Sequence, residues 1–397
     1  MRSEHRDEST AEVLRRNGAH HIRVLVLTPE YGAFGSGIAM VSESLCHKLE
    51  EKGVVFTVFT PRDSPLAGLW KRILGPFGGP ALAAFWAEAI IHARRSCDQY
   101  DWCWFHQPLS VLSPPHNSLF TYHTSYHGYS TSENSCRSEK LNVYYRFMSM
   151  IEKLAIIRSG RGGQHIAVSD SVSQEIHDVS KKRLMPIVIG NGTNSHLTEN
   201  QNPPRTRSSR IDHNDVTEIR FLTVGRLTQQ KNLPAILDSF SELHKHVDHV
   251  KLLVAGRGEL GPELTATTVR QKMDYVELLG FVPSNQLTTL YMSSPFYVQG
   301  SCYEGEPLSL IDSLGFGCIP IVNDVPSLTY HVRKSGYGII VDFSSPDDAA
   351  SLILEYIQKV DIPRTRMCIR QYAEVNLSWS SKADEYLRIL KRREAGH

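Results

Sequence analysis

QGSCYEGEPLSLIDSLGFGCIPIV, residues 299–322, decides the fold. It reads as a strand ending at Gln299, a loop carrying Glu304, Gly305 and Glu306, a helix with Pro307 near its first turn, and a second strand, CIPIV, at 318–322. A proline at that point forfeits only an N–H that the helix does not use. The amides of Leu308 and Ser309 therefore stay free to face an anion. Glu304 and Asp312 stand eight positions apart, roughly 12 Å along a helix. Such a span would set one carboxylate at a sugar and the other at a ribose, with a diphosphate over the helix start between them.

The same alternation extends outward. IRVLVLT (22–28), VVFTVFT (54–60), IRFLTV (219–224) and KLLVAG (251–256) read as buried parallel strands. IAMVSESLCHKLEEKG (38–53) and PAILDSFSELHKH (234–246) carry apolar residues at helical spacing. Repeated strand–helix alternation predicts an α/β doubly wound architecture. It breaks once, at the polar, proline-bearing stretch 193–217, which is too poor in large apolar side chains to order itself and reads as a linker. A chain of 397 residues exceeds the usual reach of one hydrophobic core. Two α/β domains facing a central cleft are therefore expected.

Composition excludes several classes. Lys+Arg 43 against Asp+Glu 42 leaves a net charge of +1, so no global field grips nucleic acid. The 7 cysteines are scattered and never spaced C-x-x-C, which indicates neither a zinc site nor a disulfide framework and leaves reduced thiols as the plain expectation. No secretory signal and no membrane-spanning run are present in the sequence. A cytoplasmic protein is expected, at most peripheral to the inner face of a membrane.

Chemistry is expected in the turns after strands. Behind the first strand, Gly32, Gly35 and Gly37 precede a helix, so free N–H groups there would approach a phosphate or sugar hydroxyls. The spacing is G-x-x-G-x-G, a poor dinucleotide fingerprint, and a ligand-free turn fits it equally. In the second half, GRLTQQKN places Arg226 and Lys231 beside a helix start, which suits a dianionic diphosphate; two solvated surface cations are the plain alternative. VAGRGEL (254–260) adds another Gly-x-Gly turn, opening at Gly256.

Taken in order, these residues resemble the family 4 retaining glycosyltransferases of the GT-B fold, which has two Rossmann-like domains. Gly35 and Gly37 look like the N-domain glycine loop. VSDSVSQEI (168–176) and IGNGTN (189–194) look like the run into the hinge. VGRLTQQKN, LVAGRGEL, VELLGFVPSNQLTTLY (276–291) and 304–322 look like successive nucleotide-domain blocks. SWSSKADEYLRIL (378–390) looks like a C-terminal helix that crosses back. The resemblance implies an N-terminal acceptor-side domain over 1–195, a linker over 196–217, a nucleotide-sugar domain over 218–378 and the crossing helix over 379–397.

It further implies that Arg226 and Lys231 bind the donor diphosphate, and that Glu304 lies near the transferred sugar. Asp312 would reach ribose hydroxyls, and His123, in TYHTSYHG (121–128), would touch the donor sugar. The base would be met near Gly280–Phe281–Val282, with Gly256, Leu308 and Ser309 around the diphosphate. Asp312 is one methylene shorter than the family's glutamate, and Pro307 stands where some relatives have glycine. The implied activity is metal-independent, cofactor-free transfer of a sugar from a nucleotide-diphosphate sugar to a saccharide, lipid-linked or small-molecule acceptor. A nucleotide-sugar epimerase of the same fold and a non-catalytic binding homologue remain as alternatives. The stretch 66–96 is aromatic and basic, with Trp70, Phe77, Phe85 and Trp86; it reads either as a peripheral membrane contact or as packing within the first domain.

Overall fold

The computed structural model describes residues 21–31, 37–64, 79–109, 112–132, 139–160, 163–193 and 218–392. Its first domain contains β1 (Arg23–Leu27), α1 (Gly37–Glu50), β2 (Val55–Phe59), α2 (Gly79–Ser96), β3 (Trp102–His106), β4 (Ser118–Tyr122), α3 (Tyr126–Thr131), α4 (Glu139–Ser159), β5 (Gly163–Ala167), α5 (Asp170–Val179) and β6 (Ile187–Val188). They build a parallel 6-stranded sheet in the order β2-β1-β3-β4-β5-β6. Alternate residues of β1 enter opposite cores: Leu25 and Leu27 pack with Phe85 and Trp86 of α2, Val24 and Val26 with Val41 and Leu45 of α1. Both faces are covered, which is why this strand reads as an unbroken apolar run.

The second domain runs β7 (Ile219–Val224), α6 (Leu233–His244), β8 (Val250–Ala255), α7 (Gly261–Arg270), β9 (Val276–Gly280), α8 (Ser284–Ser293), β10 (Phe296–Gln299), α9 (Leu308–Gly315), β11 (Ile319–Asn323), α10 (Pro326–Ser335), β12 (Ile339–Val341), α11 (Pro346–Lys359) and α12 (Ile362–Asn376). Its 6 strands lie in the order β12-β11-β10-β7-β8-β9, all parallel, around a large apolar core.

The last helix, α13 (Trp379–Lys391), completes the first domain's core from the far end of the chain. Trp379, Ala383, Tyr386, Ile389 and Leu390 pack with Val24, Trp104 and Leu49. Trp102 Nε1 donates to Leu390 O at 3.0 Å, and Lys52 pairs with Asp384 at 2.7 Å. Thr193 N donates to Leu377 O at 2.7 Å where the two crossings meet.

Three expectations are revised or only partly covered here. Within 66–96, Phe85 and Trp86 are 1% and 0% exposed, so this part of the stretch serves the core rather than a membrane; Trp70 and Phe77 lie outside the described residues. Of the stretch 193–217, only Thr193 is described. Cys46, Cys97, Cys103, Cys318 and Cys368 are free thiols, but Cys302 is disulfide-bonded, its partner lying outside the described residues. Wholly reduced thiols were therefore the wrong expectation, because spacing along the chain does not report which Cα atoms approach.

Trp379 is 4% exposed and sits where α13 enters the first domain. Trp379→Ala is expected to cost about 3–5 kcal/mol in denaturant unfolding; a change below about 1 kcal/mol would show that α13 is not integral to that core.

Candidate active site

Strand order in the second sheet reverses between β7 and β10, so the loops that follow them diverge and leave a crevice at their carboxyl ends. Thr223, Gly225, Arg226, Lys231, Gln299 and Ser301 line a small hollow there. Lys231 Nζ lies 2.5 Å from Glu304 Oε1, and Gln299 Nε2 donates to the same oxygen at 3.2 Å. Gln299 Oε1 is buried without a partner in the protein. Gly225 lets the lysine lie flat, since a Cβ there would sit 3.2 Å from Lys231 Cε. Gly256 is required more strictly: its φ is +152°, and a Cβ would fall 1.8 Å from the Gly225 carbonyl.

The loop 304–306 joins the two domains. Ser327 Oγ donates to Glu304 O, Ser169 Oγ to Gly305 O and Asn191 Nδ2 to Glu306 O, at 2.8, 2.7 and 2.9 Å. Gly305 packs so closely on the His123 carbonyl that any Cβ would overlap it. Pro307 caps α9 without a side-chain acceptor, and the N–H groups of Leu308 and Ser309 bond no described residue. Across the cleft the first residue of α1, Gly37, faces Leu308, whose Cδ1 would lie 3.9 Å from a Cβ on that glycine. Two helix N-termini thus converge on one gap, a favourable place for negative charge.

On the first domain's side, His123 follows β4 and His106 ends β3. Their rings stack at 5.2 Å, with His106 Nδ1 2.9 Å from His123 Nε2. Burial holds His123 down to about 3 and keeps His106 well below the usual imidazole range, so both rings are neutral. Ser42 Oγ donates its single proton to Ile38 O at 2.8 Å and lies 3.1 Å from His106 Nδ1. One proton on His106 Nδ1, shared between Ser42 Oγ and His123 Nε2, satisfies both contacts, whereas the reverse arrangement leaves no proton between Ser42 Oγ and Nδ1. Hydrogen bonding thereby assigns the His123 proton to Nδ1, which bonds no described residue.

Beside them Glu152 accepts from Ser125 Oγ and from the N–H groups of Tyr126 and His127, fixing the loop that carries His123. Tyr303 crosses the cleft, donating to Glu175 Oε2 at 2.6 Å and accepting from Ser125 N at 3.1 Å. Tyr129 OH donates to Gln230 Oε1 at 3.2 Å.

The structure therefore gathers Arg226, Lys231, Gly256, Glu304, Leu308, Ser309, Gly37 and His123 around the cleft. Asp312 stands apart from the pair: its carboxylate accepts from Thr193 Oγ1 at 2.8 Å, and burial pushes it up to about 6. Phe281 is 59% exposed after β9, with the Arg257 guanidinium 6.0 Å over its ring. Gly35 lies outside the described residues. Sequence reasoning gave no role to Gln299, His106, Gln230 or Tyr303. Two of them had a visible signal: WCWFH and FYVQ are buried strands whose last residue is polar, at the end where α/β sheets bind ligands.

Residues 205–374 match the family described as glycosyl transferases group 1. Over 364 residues the chain is 25% identical to the alpha-monoglucosyldiacylglycerol synthase of Streptococcus pneumoniae, covering 84% of this chain and 78% of that protein. Sucrose-phosphate synthase from Thermosynechococcus elongatus superposes with a TM-score of 0.73 at 16% identity, over 95% of this chain and all (100%) of the other. Anabaena HepE, solved in complex with UDP-glucose, gives a TM-score of 0.64 at 14% identity, over 94% and 100%. The fold is that of the GT-B glycosyltransferases.

Two predictions follow from the buried groups. Nitrogen NMR of the histidines should show His123 as the Nδ1–H tautomer, and His106→Phe should release it to a tautomer mixture; an unchanged Nδ1–H signal in that variant would remove His106 from its control. Burial also raises the Glu175 carboxyl from 4.5 to about 8. The folded chain then keeps a proton the unfolded chain has lost, so stability from this group falls as pH rises from about 4.5 to about 8. Thermal unfolding across that range should be flatter for Glu175→Gln than for the unaltered protein; an equal slope contradicts the assignment.

Proposed function

We propose that the protein is a retaining glycosyltransferase that moves a sugar from a nucleotide-diphosphate sugar to an acceptor hydroxyl, without a metal or cofactor. The observation that carries this is the pair of cations Arg226 and Lys231 on one hollow, with Lys231 also held by Glu304, whose loop leads into the helix that begins with the free N–H groups of Leu308 and Ser309. Breaking the anomeric C–O bond sends its electron pair to the diphosphate and leaves positive charge on the sugar. Fixed cations and helix-end amides lower that barrier because they are in place before the charge develops. An arriving diphosphate competes for the Lys231 ammonium, which frees one oxygen of Glu304 to accept from a sugar hydroxyl.

In this scheme the acceptor oxygen attacks the face from which the diphosphate leaves, and its proton passes to a phosphate oxygen. The products are a nucleoside diphosphate and a glycoside of unchanged anomeric configuration. No side chain is needed as a nucleophile. His123, neutral and with its proton on Nδ1, donates to a sugar hydroxyl rather than holding a charge. Arg257 and Phe281 offer a cation and a ring near where a base would lie, and Asp312 exchanges Thr193 for a ribose hydroxyl. A UDP-sugar is the favoured donor, since HepE has this fold and holds UDP-glucose.

Arg226→Ala and Lys231→Ala should each lower transfer about 10²–10³-fold in kcat/KM, measured with UDP-glucose and a panel of acceptors. Unchanged turnover in both removes them from the mechanism, and an inverted anomer in the product rules out retention.

A further inference from the structure

Helix α4 has one face that is buried and another that no described residue covers. Met148, Glu152, Ala155, Ile156 and Ser159 turn inward at helical spacing, each at most 5% exposed. Outward stand Val143, Phe147, Met150, Leu154 and Ile157, exposed by 67%, 56%, 56%, 46% and 36%, with Tyr144 beside them at 43%. Their steps of four, three, four and three residues make one continuous apolar stripe about 21 Å long. Elsewhere Val269 and Val375 stand singly, as is ordinary for a protein surface, and Met185, Ile187 and Val188 form a shorter exposed run.

The charges beside the stripe have a single sign. Arg146, Lys153 and Arg158 are exposed, and none pairs with a described carboxylate. Between residues 142 and 158 the helix has one acid, Glu152, and it is buried against the 125–127 loop. A second copy of the same helix would set cations against cations across an apolar seam. A bilayer containing anionic lipid instead accepts the stripe among its acyl chains and the three cations among its headgroups.

We infer that α4 docks the protein on an anionic membrane surface through this stripe and its flanking Arg146, Lys153 and Arg158. The inward face of the same helix holds, through Glu152, the loop that follows His123, so a docked α4 brings the acceptor side of the cleft to the bilayer. For that last step the inference rests on the proposed function and deepens it: the acceptor is a lipid or lipid-linked hydroxyl. Docking itself needs neither donor nor turnover and is tested separately from transfer.

The full chain is sedimented with vesicles of phosphatidylcholine alone or mixed with phosphatidylglycerol, at low and high salt. Binding is expected only to the mixed vesicles and should weaken with salt. Arg146→Glu with Lys153→Glu should reduce the partition coefficient roughly tenfold or more; Phe147→Ser with Leu154→Ser should abolish binding, while both proteins keep the parent melting temperature. Protein left in the supernatant with mixed vesicles overturns the inference, as does undiminished binding by either well-folded variant. A dimer that the Phe147→Ser, Leu154→Ser change splits, with no vesicle binding by the parent, would assign the face to a second copy instead.

Discussion

Three consecutive carbonyl oxygens, those of Glu304, Gly305 and Glu306, each accept a side-chain hydrogen bond from a different part of the chain. Ser327 belongs to the second domain, Ser169 to the first and Asn191 to the crossing between them. A cleft-lining loop would ordinarily be the least restrained part of such a fold. Here its backbone acceptors are satisfied on three sides, and Gly305 removes the Cβ that would keep it away from the His123 carbonyl. The position of the Glu304 carboxylate therefore depends on the relation between the domains. Opening the cleft would break the Ser169 and Tyr303 contacts and move Glu304 relative to His123.

The two walls of the cleft differ in charge, and burial is the cause. In the first domain desolvation keeps His106 and His123 neutral and raises Glu152 to about 7 and Glu175 to about 8. In the second, Lys231 keeps a carboxylate partner at 2.5 Å and Arg226 remains exposed. One wall thus presents cationic side chains, while burial lowers the charge of the other. Such a division would suit the proposed donor, which has a charged end and a neutral, hydroxyl-rich end.

Most of the architecture was legible in the sequence because well-covered parallel strands are largely apolar runs: IRVLVLT, IRFLTV and KLLVAG fall on β1, β7 and β8, whereas VVFTVFT falls on β2, a sheet-edge strand without a fully buried residue. Arg226, Lys231 and Glu304 were legible as well, since each follows such a run. What stayed hidden depends on folding distance. Tyr303 and Glu175 are 128 residues apart, and Thr193 and Asp312 are 119 apart, so no local pattern announces either contact. The aromatic, basic stretch 66–96 left two readings open because composition is local; Phe85 and Trp86 take the packing one, facing a core built from β1, β3 and β4. The apolar stripe of α4 has ordinary helical spacing, and only the structure distinguishes its covered positions from its bare ones.

Glu152 makes that distinction consequential. A carboxyl 1% exposed on a helix whose other face is apolar and basic is costly unless its acceptors are used, and three donors from residues 125–127 use them. Those donors fix the turn immediately after His123, and Tyr303 meets the same turn through Ser125 N. A displacement of α4 would therefore be felt at the cleft through hydrogen bonds rather than through soft apolar packing, which can slip. The helix is tied to the turn after His123 at its inward face and exposed at its outward one, so a contact made on the outward face would reach the cleft through those hydrogen bonds.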